Sequence, residues 1–302
     1  MSDEPLVSVI VATYNYGSCI TDALRSVEKQ TLVDWECIIV DDASTDNTAA
    51  IVQGFTARDP RFRYMSLARN SGVAAARNAG LGLAKGKYVQ LLDADDVIAP
   101  AKLERQAAFL ESRPDVAVVY SGFVHFTGSP LLDGQDEHKM DERLSGAGST
   151  IIRRLLRGNI FRTNTLLLRL AAVRAAGAFN PAFRHIEDWD LWLRLAAAGH
   201  RFQFLGDLAC MAGVRNSPGS LSKDHGRMRR NVLPVLANLW SGHGLSFTDR
   251  CLLLVRYADI NLEQLLVNRE RPHGGAGGTL PVAATVLSLL MLPPWLLTRP
   301  FR

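Results

Sequence analysis

Residues 90–97 read QLLDADDV, so an apolar run ends abruptly in three carboxylates within four positions, Asp93, Asp95 and Asp96. Side chains alternate across an extended strand, so Asp93 and Asp95 face the same way if the extended backbone continues. Like charges this close repel and resist desolvation unless something positive lies between them. A hard divalent cation, Mn2+ or Mg2+, meets that need because it prefers carboxylate oxygens. The plain alternative is a solvated acidic turn capping the next helix. A second cluster, Glu187-Asp188-Trp189-Asp190, stands at or just before a helical pattern that runs through 191–196 and ends at Gly199. Carboxylates there complement the helix dipole and cap free N–H groups, and Asp190 fits that duty. Glu187 and Asp188 side by side exceed it, which makes one of them a candidate for acid–base chemistry.

The elements that must position these groups are legible in the hydrophobic pattern. LVSVIVA (6–12) has the β-branched run of a strand buried on both faces, and the polar break Thr13-Tyr14-Asn15-Tyr16-Gly17 follows it. Residues 19–30 carry apolar side chains at helical spacing. WECIIV (35–40) is a second strand, and it ends in Asp41-Asp42-Ala43-Ser44-Thr45-Asp46. A helix over 47–55, a strand over 64–67, a helix over 73–85 and a strand over 87–92 complete the run. Strands alternating with helices predict a parallel sheet covered on both faces. Ligands of such sheets sit beyond the carboxyl ends of the strands, where all three polar stretches lie.

The second half predicts helices over 100–112, 151–157 and 170–176 and strands over 116–120 and 165–169. Residues 127–148, polar and Gly-rich, predict a mobile loop. From Ser222 onward the chain is helical and basic. A Gly-rich linker follows at 271–278, and then an almost wholly apolar run over 280–297 that is broken by Pro293-Pro294. That run is at the lower limit for a membrane span, and the prolines favour an interfacial anchor with Trp295 at headgroup level.

Over 302 residues the net charge is only +4. It suits an anionic ligand or a membrane surface and is too small to argue for nucleic acid. Cys19, Cys37, Cys210 and Cys251 show no metal-ligand spacing, and buried free thiols in a reducing compartment are expected. The acidic N-terminus has no apolar signal-peptide core, so a cytoplasmic protein at the inner face of a membrane is expected.

Four stretches in order, VSVIVATYNYGSCITDALRSVEKQT, IIVDDASTDNT, ARNSGVAAARNAGLGLAKGKYVQLLDADD and EDWDLWLRLAAAG, resemble the family 2 inverting glycosyltransferases. The resemblance covers about residues 6–222. It implies an α/β domain of the GT-A type over 1–222, with a mostly parallel mixed sheet flanked by helices. Residues 1–112 would hold the nucleotide and 113–222 the acceptor; outside the resemblance, the residue pattern predicts a helical extension (223–272) and a linker with an apolar tail (273–302). It further implies that Thr13 and Tyr14 contact the nucleotide, with Tyr14 stacked on uracil, and that Asp42 accepts the base imino N–H while Asp41 shapes the turn. One of Asp95 and Asp96 would reach the cation, and Asp93 or Asp95 the ribose. Arg77 would lie near the nucleotide or in an ion pair. Asp188 would be the general base, supported by Glu187. Many relatives place a His two residues after an Arg near the domain end; here VRNSPGSLS puts Ser217 there, and Arg215 could meet the diphosphate.

The chemistry implied is direct displacement of a nucleoside diphosphate, UDP favoured, by a saccharide or glycolipid hydroxyl in surface polysaccharide synthesis. Two rivals remain at this point. One is transfer to a polyprenyl phosphate, an acceptor that needs no base. The other is a nucleotide-binding module without turnover.

Overall fold

The computed structural model describes residues 4–128, 143–216, 225–242 and 244–269. In the first half β1 (Val7–Thr13), α1 (Ile20–Glu28), β2 (Trp35–Asp41), α2 (Thr48–Thr56), β3 (Phe62–Ser66), α3 (Val73–Leu83) and β4 (Tyr88–Asp93) alternate as the pattern predicts. Then come β5 (Val97–Ile98), α4 (Lys102–Ser112), β6 (Val116–Tyr120), β7 (Phe123–Phe126), β8 (Gly146–Ala147) and α5 (Ser149–Leu155). The chain continues through β9 (Leu166–Arg169), α6 (Leu170–Ala175), α7 (Glu187–Ala197), β10 (Arg201–Phe204), β11 (Ala212–Arg215), α8 (His225–Ser241) and α9 (Phe247–Arg269). The short strands β5, β7, β8, β10 and β11 were not expected; two to four residues are too few to show a period.

The main sheet has the order β3-β2-β1-β4-β9-β6-β10-β8. β3, β2, β1 and β4 run parallel, β9 runs against both β4 and β6, and β10 is parallel to β6. The mixed sheet follows from two reversed strands, β9, which joins the two halves, and β8, which runs against β10 at the edge. A small sheet, β5-β11-β7, stands apart from it. From β1 the chain moves outward through β2 to β3, then returns past β1 to β4. The strand order therefore reverses between β1 and β4, and ligands of open α/β sheets bind at such a reversal.

Alternation along the strands builds a core on each face. Val7, Val9 and Val11 of β1 and Cys37 and Ile39 of β2 meet the apolar stripes of α1, α2 and α4. Ile10, Ile38 and Val40 point to the opposite face, into the core that α3 shares with α5, α6 and α7. The helical extension belongs to that same core through Val235, Leu236, Leu239, Trp240, Leu253 and Ile260.

The extension grips α7. Asn238 Nδ2 donates to Asp190 Oδ1 at 2.9 Å. Gly244 has φ of +95°, and a Cβ on it would lie 1.9 Å from the Ala197 carbonyl oxygen, so no side chain fits without displacing the end of α7. Ser246 Oγ accepts from Asp249 N and donates to Asp249 Oδ2, which caps α9, and the buried Asp249 also bonds Ser149 of α5. Among the described residues no helix is long and apolar enough to cross a membrane. The apolar run 280–297, the linker and Ser217 lie outside the described residues, as does most of the expected loop at 127–148.

Candidate active site

The β1–β4 crevice is floored by strand ends. Thr13 closes β1 with its Oγ1 buried and without a hydrogen-bond partner among the described residues. Tyr14 next to it is 42 % exposed, which leaves its ring free. Asn15 turns left-handed (φ 58°), and its Oδ1 accepts from Thr45 N at 2.8 Å, tying the β1 loop to the β2 loop. Ala43 (φ 64°) and His185 (φ 74°) also bend left-handed, one beside Asp42 and the other two residues before Glu187. Backbone of this kind collects at functional sites because the surroundings must hold it there.

The acidic pair at the end of β2 divides its labour. Asp41 accepts from Ser44 N and from the Tyr64 hydroxyl, both at 2.8 Å, which shapes the turn. Asp42 accepts from Ser71 N and Gly72 N, each at 2.7 Å, and so fixes the turn that begins α3. Each Asp42 oxygen keeps a second acceptor site.

At β4 the extended backbone does not continue. Asp96 N donates to Asp93 O at 3.1 Å, so Asp95 and Asp96 lie in a turn and the three carboxylates diverge. Asp93 goes to Arg77. Asp96 faces inward, with Oδ2 accepting from Asn164 Nδ2 and Oδ1 from Arg215 N, both at 2.8 Å. Asp95 accepts no hydrogen bond from another side chain among the described residues, and burial together with the Asp93 charge pushes its carboxyl up to about 6. Burial and the charges of Asp93 and Asp95 raise Asp96 as well. The turn is short of positive charge.

Arg215 is committed elsewhere than the expected diphosphate. Its Nε donates to Asp95 O (3.0 Å), Nη1 to Gly128 O (2.6 Å) and Nη2 to Asp22 Oδ2 (2.7 Å), so it straps the turn from behind.

Among the described residues no three His, Cys, Asp or Glu side chains converge on a cation position. The donor set nonetheless fits Mn2+ or Mg2+ in one way. Such cations are commonly held by one or two carboxylates plus substrate phosphates, and Asp95 is the carboxylate left free for that. Asp96, an equal candidate in the sequence, has each oxygen occupied by a protein donor.

Arg77 joins the two acidic clusters. Buried on α3, it donates through Nη1 to Glu187 Oε1 and through Nη2 to Asp93 Oδ1, each at 2.7 Å, and lies 5.3 Å from the Phe179 ring centroid. Burial opposes its charge, yet Asp93, Glu187 and Asp188 hold its pKa above the ordinary value. Of the two readings for Arg77, the ion pair is the one the structure displays.

α7 begins at Glu187, so both carboxylates sit in its first turn. Glu187 Oε2 is buried with no partner among the described residues. Asp188 accepts from Asn159 Nδ2 at 2.9 Å and from Trp189 N at 2.7 Å. Burial and the Glu187 charge push its carboxyl up to about 7, against the pull of Arg77, Trp189 N and Asn159. A carboxylate with a pKa near neutrality is a competent proton acceptor at neutral pH. Trp189 Nε1 donates to Leu155 O at 2.9 Å, which seats the helix on α5.

Sequence reasoning missed Tyr16, Asn159 and Asn164. Tyr16 is raised by burial and by the charges of Asp95 and Asp93, which places it beside the acidic turn. Nothing in the sequence marks the two asparagines, which sit in a stretch with no periodicity.

Comparison with known proteins agrees with this architecture. The sequence model described as Glycosyl transferase family 2 matches residues 8–174. The chain is 35 % identical over 255 residues to the teichuronic acid biosynthesis glycosyltransferase TuaG of Bacillus subtilis, covering 84 % of this chain and 95 % of that protein. It is 31 % identical over 209 residues to the glycosyltransferase EpsE of Bacillus subtilis, covering 67 % of this chain and 70 % of EpsE. Among solved structures, S. aureus TarS 1–349 in complex with UDP superposes with a TM-score of 0.64 at 23 % identity, covering 88 % of this chain and 73 % of that one. The mannosyltransferase PcManGT of Pyrobaculum calidifontis, in complex with GDP-Man and Mn2+, superposes with a TM-score of 0.62 at 19 % identity, covering 97 % and 83 %. With the GT-A fold and the matched motifs in hand, the chain is a glycosyltransferase and belongs to glycosyl transferase family 2.

Proposed function

We propose that this enzyme transfers a sugar, with inversion, from a nucleoside-diphosphate donor to a hydroxyl of a saccharide or glycolipid acceptor in surface polysaccharide synthesis. The observation that carries the reading is Asp188, a carboxylate with raised basicity on the first turn of α7, held through Glu187 and Arg77 against the acidic turn of β4. The base takes the proton of the attacking hydroxyl as that oxygen bonds the anomeric carbon and the bond to the diphosphate breaks. One base suffices because no covalent enzyme intermediate forms. An acceptor that is already a phosphate anion would need no such group, which argues against polyprenyl phosphate.

UDP is favoured as the carrier. The Tyr14 ring is exposed for stacking on a base, the buried Thr13 hydroxyl lacks a partner among the described residues, and the spare acceptor sites of Asp42 suit an imino N–H. Asp93 lies at the edge of the same crevice, 38 % exposed at its side chain, and can meet the ribose. Charge accumulating on the departing diphosphate is neutralised when Mn2+ or Mg2+ is bound at Asp95.

A turnover screen over nucleotide sugars with and without Mn2+ tests the reading, with UDP-sugars expected to lead. Asp95→Ala is expected to weaken Mn2+-dependent UDP binding at least tenfold by calorimetry. Equal affinity in the variant would remove Asp95 from the cation role.

The apolar run over 280–297 with Arg299 and Arg302 behind it suits peripheral attachment to an anionic membrane face. Removing the residues after Gly278 is expected to abolish sedimentation with anionic liposomes. Equal sedimentation of the full and shortened chains would place the contact elsewhere.

A further inference from the structure

One cation at the edge of this site has no role in the chemistry above. Arg162 lies in the stretch that joins α5 to β9. Because β9 runs against β4 and β6, this stretch arrives at the carboxyl edge where the acidic turn sits. It is pinned at both ends. Asn159 Nδ2 bonds Asp188 Oδ2, the candidate base, and Asn164 Nδ2 bonds Asp96 Oδ2 in the turn. Between them the Arg162 carbonyl accepts from Thr165 N at 2.9 Å and from Thr165 Oγ1 at 2.7 Å, which fixes the backbone under the side chain.

The side chain itself is exposed, with its guanidinium carbon 5.5 Å from the Phe123 ring centroid. Among the described residues it has no carboxylate partner and no side-chain hydrogen bond. The two arginines bonded to the turn residues are spent: Arg77 on two carboxylates and Arg215 on Asp22 and two carbonyls. The charge of Arg162 reaches the buried Asp96, one of the influences that lower it. A guanidinium resting on an aromatic ring is weakly hydrated, and its rigid fork is ready for a bidentate anion.

The place of that anion follows from the strand order. The β1–β4 crevice, where the donor is read, lies on one side of β4, and β9 lies on the other. Arg162 therefore stands on the acceptor side, between the base and the acidic turn. We propose that Arg162 is a specificity residue that binds an anionic group, a carboxylate or a phosphate monoester, carried by the acceptor sugar. The proposal rests on the transferase reading above, because it takes Asp188 to face the acceptor.

The test is ligand-observed NMR titration of the full chain with three probes, methyl glucuronide, glucose 6-phosphate and the neutral methyl glucoside, each with and without UDP and Mn2+. At least one anionic probe is expected to bind tenfold or more tightly than the neutral one. Arg162→Gln is expected to bring it down to the neutral level while UDP affinity stays within twofold, and Arg162→Lys to retain part of the preference. A glucuronide response alone assigns a carboxylate, and a phosphate response alone assigns a phosphate monoester. Equal binding of charged and neutral probes to the unmutated protein overturns the proposal. So does a tenfold loss of UDP affinity in Arg162→Gln with the probe preference intact, which would give the guanidinium to the donor diphosphate. Absence of UDP binding in the unmutated protein strikes the donor-site reading instead, and the probe comparison without UDP is still decided on its own.

Discussion

Asp188→Asn is expected to lower turnover by a factor of roughly 10² to 10⁴, the usual worth of a positioned general base, while UDP affinity stays unchanged. The amide keeps the size and the Asn159 contact but cannot take a proton at neutral pH. The pH profile carries the same assignment. Burial and the Glu187 charge raise the Asp188 carboxyl to about 7, so below neutrality it is protonated and idle, and kcat/KM is expected to rise with pH through that region. Removing the neighbouring negative charge with Glu187→Gln lowers the pKa of Asp188, so the acid limb should move to lower pH. An acid limb at the same pH in Glu187→Gln, or full turnover in Asp188→Asn, would place the base elsewhere.

The second large effect falls on stability. Arg77→Met removes a cation that two acidic groups share, leaving Glu187 buried with neither oxygen partnered among the described residues and Asp93 without its ion pair. Breaking a buried pair from one side typically costs about 3–5 kcal/mol, because an uncompensated charge stays behind. Urea unfolding should show a loss of that order. Combining Arg77→Met with Glu187→Gln should cost less than the sum of the single changes, since the second substitution removes the stranded charge. Strict additivity would mean that the two side chains do not act as a unit.

These two predictions differ in how far the sequence alone reaches them. Asp188 stands in a motif of adjacent carboxylates at a helix start, and local pattern reveals both its type and its place. Arg77 and Glu187 are separated by 110 positions, and only the folded sheet brings them together. The strands and helices of the first half follow from hydrophobic period, since each is long enough to show one. β10 and β11 are four residues each and owe their extended form to the partners they pair with. The D-x-D spacing pointed to the acidic turn, but not to the divergence of its carboxylates. That depends on Asn164 and on the Arg215 backbone, 68 and 119 positions away from Asp96.

The grip of α8 and the following turn on α7 has a consequence for the order in which the protein is made. Asp190 is paired with Arg194 inside α7, whereas Asn238 and Gly244, which cover the far side of that helix, come some fifty positions further along the chain. At roughly 5–20 residues per second, the helix that carries Asp188 leaves the ribosome on the order of three to ten seconds before the extension that covers it. During that interval α7 can already rest on α5 through Trp189 and on α3 through the Arg77–Glu187 pair. The extension therefore closes over a helix that earlier parts of the chain have placed.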